Sequence, residues 1–355
     1  IEQLGKRYPD LPLVVTTMAP TGAERVQAAF GERVRHCYLP LDLPHAVHRF
    51  LSFLDPSVLV IMETEVWPNL VHACNRRGTP VVLANARMSA RSERGYERFR
   101  FLSRRLFEGL DWVAAQAEPD AMRFGHLGVP AGRIAVTGSI KYDVSIGDAA
   151  REQASELRGL VGARPVWIAA STHEGEDEQV LDAHARLLEA HSDALLVIVP
   201  RHRERFEPVF GEIGRRGLSV SRRSLGESPA TVNLYLADTM GELLMLFGVA
   251  GVAFIGGSLI ERGGHNPLEA AAWGLPILTG RHVFNFTTVF ERLEAEGGID
   301  WIEGADDLAQ TLIRLFEDAG TRERMGAGAA AVVNANRGAV ESLVDDIARL
   351  RDQRC

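Results

Sequence analysis

The chain has 355 residues, and 47 acidic against 39 Lys and Arg residues leave it with a net charge of −8, with 46% hydrophobic and 24% charged residues. That composition is globular, its length suits two domains better than one core, and its acidity argues against a general nucleic-acid binder, which needs a basic surface. Cys37, Cys74 and Cys355 are too few and too scattered for a disulfide framework or a zinc site and suit a reducing compartment. Wholly apolar runs such as 58–62 and 195–199 fall far short of the roughly 20 residues that cross a bilayer.

In chain order, short runs rich in Val, Ile and Leu predict strands at 13–16, 34–39, 58–62, 81–84, 112–115 and 134–137. A second series is predicted at 166–170, 195–199, 218–221, 232–236, 252–255 and 276–279. Each run is closed by a Gly, Pro, Ser or Thr nearby and followed by an amphipathic stretch, the pattern of parallel strands covered by helices on both faces. The pattern occurs twice, which predicts two doubly wound α/β domains: 1–144, a polar, helix-prone and strandless linker at 145–164, and 165–355. Ligands of such folds bind outside the carboxyl ends of the strands, so the residues just after strands are the candidates.

In the first domain, the strand at 58–62 runs into Glu63-Thr64-Glu65-Val66-Trp67-Pro68-Asn69. Two carboxylates so close either raise one pKa or anchor a cation; the plainer alternative is an ion pair with Arg87, after the next strand. Residues 87–105 hold Arg87, Arg91, Arg94, Arg98, Arg100, Arg104 and Arg105 against Glu93 and Glu97, with Tyr96, Phe99, Phe101 and Leu102 among them. A solvated helix face is the usual meaning of such a run, but Arg mixed with aromatics also suits an anionic lipid surface or a phosphorylated acceptor. Lipid ranks ahead of nucleic acid, because no RNA-binding motif accompanies it. Lys141, in Gly138-Ser139-Ile140-Lys141-Tyr142-Asp143, is placed to face a cleft from the hinge side, or is simply a surface lysine.

In the second domain, Ser171 with Glu174 and Thr239 with Glu242 have the spacing of N-capping boxes just after strands. After 252–255 come Gly256-Gly257-Ser258 and then Gly263-Gly264-His265-Asn266-Pro267-Leu268-Glu269, with Asn266 as an N-cap, Pro267 in the first turn and Glu269 closing the box. One box alone means capping; three at one sheet edge, with glycine pairs, point to anion binding by helix amino ends. Arg201, followed by His202, adds a bidentate donor fork. A nucleotide phosphate is the guest these features fit, with Glu269 available to ribose hydroxyls. No P-loop or dinucleotide fingerprint is present. His202, His265 and His282 do not cluster with acids at metal-ligand spacing, so no metal or other cofactor is expected.

Taken together, residues 16–22, 62–69, 84–87, 138–143, 171–176, 200–202, 238–243 and 256–269 resemble the motifs of the Kdo (3-deoxy-D-manno-octulosonic acid) transferase family, over essentially the whole chain. The resemblance implies a GT-B glycosyltransferase, two Rossmann-like domains facing a cleft, that moves Kdo from CMP-Kdo to the lipid A precursor at the cytoplasmic face of the bacterial inner membrane, without a metal. It implies that the first domain takes the acceptor and the second the donor. By motif match, Arg201, His202, Met240, Gly241, Glu242, Asn266, Pro267, Leu268 and Glu269 correspond to CMP contacts. Glu63 and Lys141 correspond to residues that stabilise the transition state, and Arg87, Arg91, Arg94 and Arg98 belong to the acceptor and membrane surface.

The family also has an N-terminal anchoring segment and a Ser/Gly-rich loop whose Glu is the proposed base, and neither precedes Ile1. The expectation is therefore an amino-terminally truncated chain, missing its first strand and helix, that binds donor but turns over poorly. The last helix is expected to reach back to the first domain. The competing readings are another GT-B transferase or epimerase acting on a UDP-sugar, and an inactive lipid-binding module.

Overall fold

The computed structural model describes residues 1–352, and Cys355 lies outside them. The chain forms two compact units, one built from residues 1–143 together with the chain from Asn336 onward, the other from Val144–Ala335.

The first unit contains β1 (Val14–Thr17) and β2 (Arg35–Tyr38), paired in parallel, and a separate parallel sheet in sequential order from β3 (Leu59–Met62), β4 (Val81–Ala86), β5 (Trp112–Ala115) and β6 (Ile134–Val136). Alternation along β4 serves two cores at once, as a sheet covered on both faces requires. Val81 and Leu83 pack with Leu70, Phe107 and Phe124 on one face. Val82 and Ala84 meet Leu343, Ile347 and Leu350 on the other. Those last three belong to the helix Ala339–Asp352, so the chain's final described helix completes this unit's second layer. Asp346 accepts from Trp112 Nε1 at 2.7 Å, and the Arg349 guanidinium lies 4.3 Å from the centre of the Trp112 ring.

The second unit is one parallel sheet of seven strands in the order β13-β12-β11-β7-β8-β10-β9. Its strands are β7 (Val166–Thr172), β8 (Leu195–Pro200), β9 (Val220–Arg222), β10 (Leu234–Leu236), β11 (Val252–Ile255), β12 (Ile277–Thr279) and β13 (Ile299–Trp301). Its core joins Trp167, Leu196, Ile198 and Phe254 of the sheet to Leu187, Leu308 and Leu312 of covering helices. From central β7 the chain passes to β8 and then to the edge strand β9, sets β10 between those two, and returns to lay β11 on the opposite side of β7. The order therefore reverses between β7 and β11, and such a switch point opens a crevice at the strands' carboxyl ends.

Residues 145–164, read from sequence as a helix-prone linker, do hold a helix, Asp148–Val161, but it belongs to the second unit. Its polar appearance hides a stripe of buried Ala154, Leu157 and Val161. Strand β13 was not foreseen, because Ile-Asp-Trp is too short and too polar to stand out.

Candidate functional site

In the second unit, β7, β8, β10 and β11 are neighbours, and the expected donor residues follow them. Arg201 and His202 come after β8, Met240, Gly241 and Glu242 after β10, and Asn266 to Glu269 after β11. The structure thus brings these segments to one edge of one sheet, around the switch point.

What gathers there differs from the expected free helix ends. His173, after β7, and His265, after β11, meet Nε2 to Nε2 at 2.7 Å, and the His202 ring stands edge-on to His173 with centroids 5.4 Å apart. Burial lowers the proton affinity of both His173 and His265, the latter to about 4, and the nearby charges of His202 and Arg201 add to it, with Arg262 and Arg205 also acting on His173. The result is a cluster of imidazole and guanidinium groups, suited to a phosphate or carboxylate. Sequence reasoning missed His173 and Arg262 and left His265 as an ordinary hydrogen-bonding residue, although all three lie in motifs it singled out.

Three capping assignments need correction. Ser171, one residue before the end of β7, has φ of 60° and the next helix begins only at Asp177, so Ser171 and Glu174 form no capping box. That helix carries Asp177 and Glu178 in its own first turn, which leaves its amino end a poor anion site. Thr239 Oγ1 donates to the Glu242 side chain rather than capping a helix. Glu242 is gripped through both oxygens by Arg223, at 3.2 and 2.7 Å, which with Thr239 holds its carboxyl below the usual range. Asn266 Oδ1 accepts from Leu268 N–H at 3.2 Å, but the N-cap position of the helix Leu268–Ala272 falls on Pro267 rather than Asn266, and the helix is a little over one turn. Glu269 is largely buried there, and burial pushes its carboxyl up.

The glycine pair is also not a free anion nest. The N–H groups of Gly257, Ser258 and Leu259 donate to the buried carboxylate of Glu176 at 2.6, 2.9 and 3.0 Å. Gly256 is required by close packing, since a Cβ there would lie 2.6 Å from the Ser171 carbonyl oxygen.

In the first unit, Glu63 follows β3 in the left-handed region, φ 59°, with its N–H donating to Ala84 O at 2.8 Å. Asn85, φ 52°, sits where the β4 and β5 register shifts. Its side-chain oxygen accepts from Ile140 N–H at 3.2 Å, which ties the short 3-10 turn Ile140–Tyr142 carrying Lys141 to the end of β4. Asp143, closing that turn, accepts from Gly338 and Val340 N–H at 2.6 Å each. Two strained non-glycine residues at adjacent strand ends mark a site by the usual direction of inference, from outlier to function. Among the described residues no ion pair joins Glu63 or Glu65 to Arg87.

The arginine run forms two helices, Ala90–Arg98 and Arg100–Glu108, broken at Phe99. Ser89 caps the first by accepting from Ser92 N–H at 3.0 Å. Arg87, Arg91, Arg94 and Arg98 are exposed. Among the described residues no group of three or more His, Cys, Asp or Glu is placed to hold a metal ion, and no helix is long and apolar enough to cross a membrane.

Comparison with known proteins decides the family. Residues 1–144 match the model of the 3-deoxy-D-manno-octulosonic-acid transferase (kdotransferase) family. A 3-deoxy-D-manno-octulosonic acid transferase of Haemophilus influenzae is 42% identical over 348 residues, covering 97% of this chain and 82% of that protein. One from Bordetella pertussis is 34% identical, covering 94% and 80%. The chain belongs to the Kdo transferase family. It is thus a glycosyltransferase with the GT-B fold.

The C-terminal CMP-Kdo binding domain of WaaA from Acinetobacter baumannii superimposes with a TM-score of 0.51 at 34% identity, covering 53% of this chain and 99% of that one. The UDP-GlcNAc 2-epimerase of Neisseria meningitidis, at 13% identity, 94% and 91% coverage and a TM-score of 0.59, shares the fold alone.

Proposed function

We propose that this Kdo transferase takes Kdo from CMP-Kdo and adds it to a lipid A precursor, at the cytoplasmic face of the inner membrane. The observation that carries the donor half is the cluster of His173, His202 and His265 beside Arg201 at the β7/β11 switch point, in the unit similar to a CMP-Kdo binding domain.

In the reaction an acceptor hydroxyl attacks the anomeric carbon of Kdo. The bond from that carbon to the phosphate oxygen breaks, CMP departs with the electron pair, and the hydroxyl proton passes to a base. Charge grows on the leaving phosphate, where preorganised donors are worth most. Arg201, with His202 beside it, takes that task, while Met240, Gly241, Glu242 and the segment Asn266, Pro267, Leu268, Glu269 hold the nucleoside. Glu269 is the acceptor for ribose hydroxyls. Glu63 and Lys141, on the first unit, stabilise the transition state from the acceptor side. The exposed arginines Arg87, Arg91, Arg94 and Arg98 meet the acceptor's phosphates and the anionic lipid around it.

Thermal unfolding with CMP or UDP tests the donor reading, since a ligand that binds only the folded state stabilises it by about 2.7 kcal/mol at a hundred times its Kd. CMP is expected to raise Tm and UDP to leave it in place. The reverse result would hand the site to a UDP-sugar.

A further inference from the structure

Glu176 takes no part in the contacts assigned above, yet it ties together the two loops that carry His173 and His265. It is 0% exposed, and its carboxylate accepts four backbone N–H groups. Oε2 takes Gly257 at 2.6 Å and His173 at 3.2 Å. Oε1 takes Ser258 at 2.9 Å and Leu259 at 3.0 Å. One side chain therefore spans the switch point, joining the end of β7 to the end of β11. Burial pushes the Glu176 carboxyl up, the four N–H donors oppose that, and a buried carboxyl is tolerated only when it is this fully hydrogen-bonded.

Both members of the histidine pair hang from this clamp. His173 is held through its own N–H. His265 is held through Gly257, which has φ of 71° and against which the imidazole packs so closely that a Cβ would lie 3.0 Å from His265 Cδ2. Gly264 N–H, one residue before His265, donates to Gly257 O at 2.7 Å. Shifting the Gly257 turn thus shifts His265 relative to His173, and the 2.7 Å contact between their rings cannot survive a shift of an ångström.

We propose that Glu176 is a positioning residue for the transfer reaction, its carboxylate fixing the His173–His265 pair that shapes the seat of the donor's phosphate. The inference rests on reading the second unit as the donor unit. Positional errors of about 1 Å in such sites cost on the order of a hundredfold.

The test is Glu176→Gln, which keeps size but turns one acceptor into an NH2 group facing N–H donors. Two readouts are followed on the whole chain: CMP affinity by calorimetry, and titration of the His265 ring by NMR without ligand. The expected result is a CMP Kd raised at least about tenfold and a His265 titration moved from its depressed position toward 6.5, with the fold retained. A variant that is folded but matches wild type in the ring titration overturns the inference. So does one that binds CMP as wild type does.

If Glu176→Gln does not fold, Gly257→Ala disturbs the same turn from the His265 side, and unchanged CMP binding there overturns the inference equally. Amide exchange of the unliganded wild type needs no variant: Gly257, Ser258 and Leu259 are expected to be protected, and exchange at open-loop rates overturns it. Failure of wild type to bind CMP would instead sink the donor reading, with the ring titration and amide exchange still deciding on the clamp.

Discussion

His173 and His265 share one hydrogen bond, Nε2 to Nε2 at 2.7 Å, between rings inclined by only 8°. One nitrogen must donate and the other accept, so the pair in this arrangement carries at most one positive charge. Burial and the charges of His202 and Arg201, with Arg262 and Arg205 beside His173, resist another proton. A bound phosphate reverses that balance, because an opposite charge favours the protonated ring. CMP binding is therefore expected to take up protons as pH falls below neutrality toward the free-state value of about 4 for His265. The phosphate of CMP itself titrates near pH ~6, so the comparison needed is with His265→Asn. Calorimetry in two buffers at pH 6.5 should show greater proton uptake for wild type. Equal uptake would mean that the pair does not face the phosphate.

His184 makes a second pH dependence, in stability rather than binding. Its Nδ1 accepts from Trp167 Nε1 at 3.2 Å, and its Nε2 donates to Asn233 O at 2.9 Å. A proton on Nδ1 would set two donors face to face, and burial lowers the folded pKa from 6.5 to about 4. The unfolded chain thus binds more protons between those values, so stability is complete above 6.5 and declines as pH falls toward about 4. Two to three pKa units correspond to about 3 kcal/mol. Urea unfolding from pH 7.5 to 4.5 should show that slope, and His184→Gln, which keeps an acceptor and a donor but cannot titrate, should flatten it. A slope unchanged in the variant rules His184 out as its source.

Twelve of the strands could be read from sequence because short apolar runs with turn signals are a local property. The carboxyl-end placement of Arg201, Met240, Glu242 and Asn266 followed from the same reading. The chemistry of the crevice could not be read that way. His173 and His265 are 92 residues apart, and Glu176 meets Gly257, Ser258 and Leu259 across more than 80. Local spacing instead suggested Ser171 and Glu174 as a box, because a capping pattern says nothing about left-handed backbone at Ser171, one residue before its strand ends. The helix Asp148–Val161 was legible as helix-prone, but its place in the second unit was not, because its buried stripe is only three residues in a polar background.

Arg201 should dominate donor affinity. A charge-assisted hydrogen bond to phosphate is worth about 1.5–3 kcal/mol, so Arg201→Ala is expected to weaken CMP by roughly tenfold to a hundredfold. Arg201→Lys should restore only part of that, because the ammonium lacks the planar fork. Glu269→Gln should weaken CMP while leaving inorganic phosphate binding unchanged. Loss of both ligands would place Glu269 at the phosphate instead.

Glu63 holds left-handed backbone at φ 59°, a conformation that costs a non-glycine residue roughly 1–2 kcal/mol. Glycine adopts it freely but is more flexible when unfolded. Glu63→Gly is therefore expected to be about 1 kcal/mol more stable than Glu63→Ala by urea unfolding, and both should lose Kdo transfer to the same degree. If either variant transferred at the wild-type rate, the carboxylate would have no part in the reaction, and the strain would have to serve the neighbouring Glu65 or the turn itself.

The helices Ala90–Arg98 and Arg100–Glu108 expose Phe99, Phe101 and Leu102 at 63, 78 and 66% beside their arginines. Glu93 is turned toward Arg123 at 3.5 Å and His126 at 3.0 Å, which offsets its charge within the unit. A face that combines exposed aromatics with excess cations suits the boundary of an anionic bilayer, where each Lys or Arg contributes about 1 kcal/mol and screening sets in over about 10 Å at 0.1 M salt. Sedimentation with vesicles should show binding that needs anionic lipid and falls with salt. Arg94→Ala and Arg98→Ala should each weaken it about fivefold at low salt. Phe101→Ala should weaken it at low and high salt alike, since burial of an aromatic ring does not depend on screening. Equal binding to neutral and anionic vesicles, or indifference to Phe101, would leave this face as a solvated surface and move the lipid contact elsewhere on the chain.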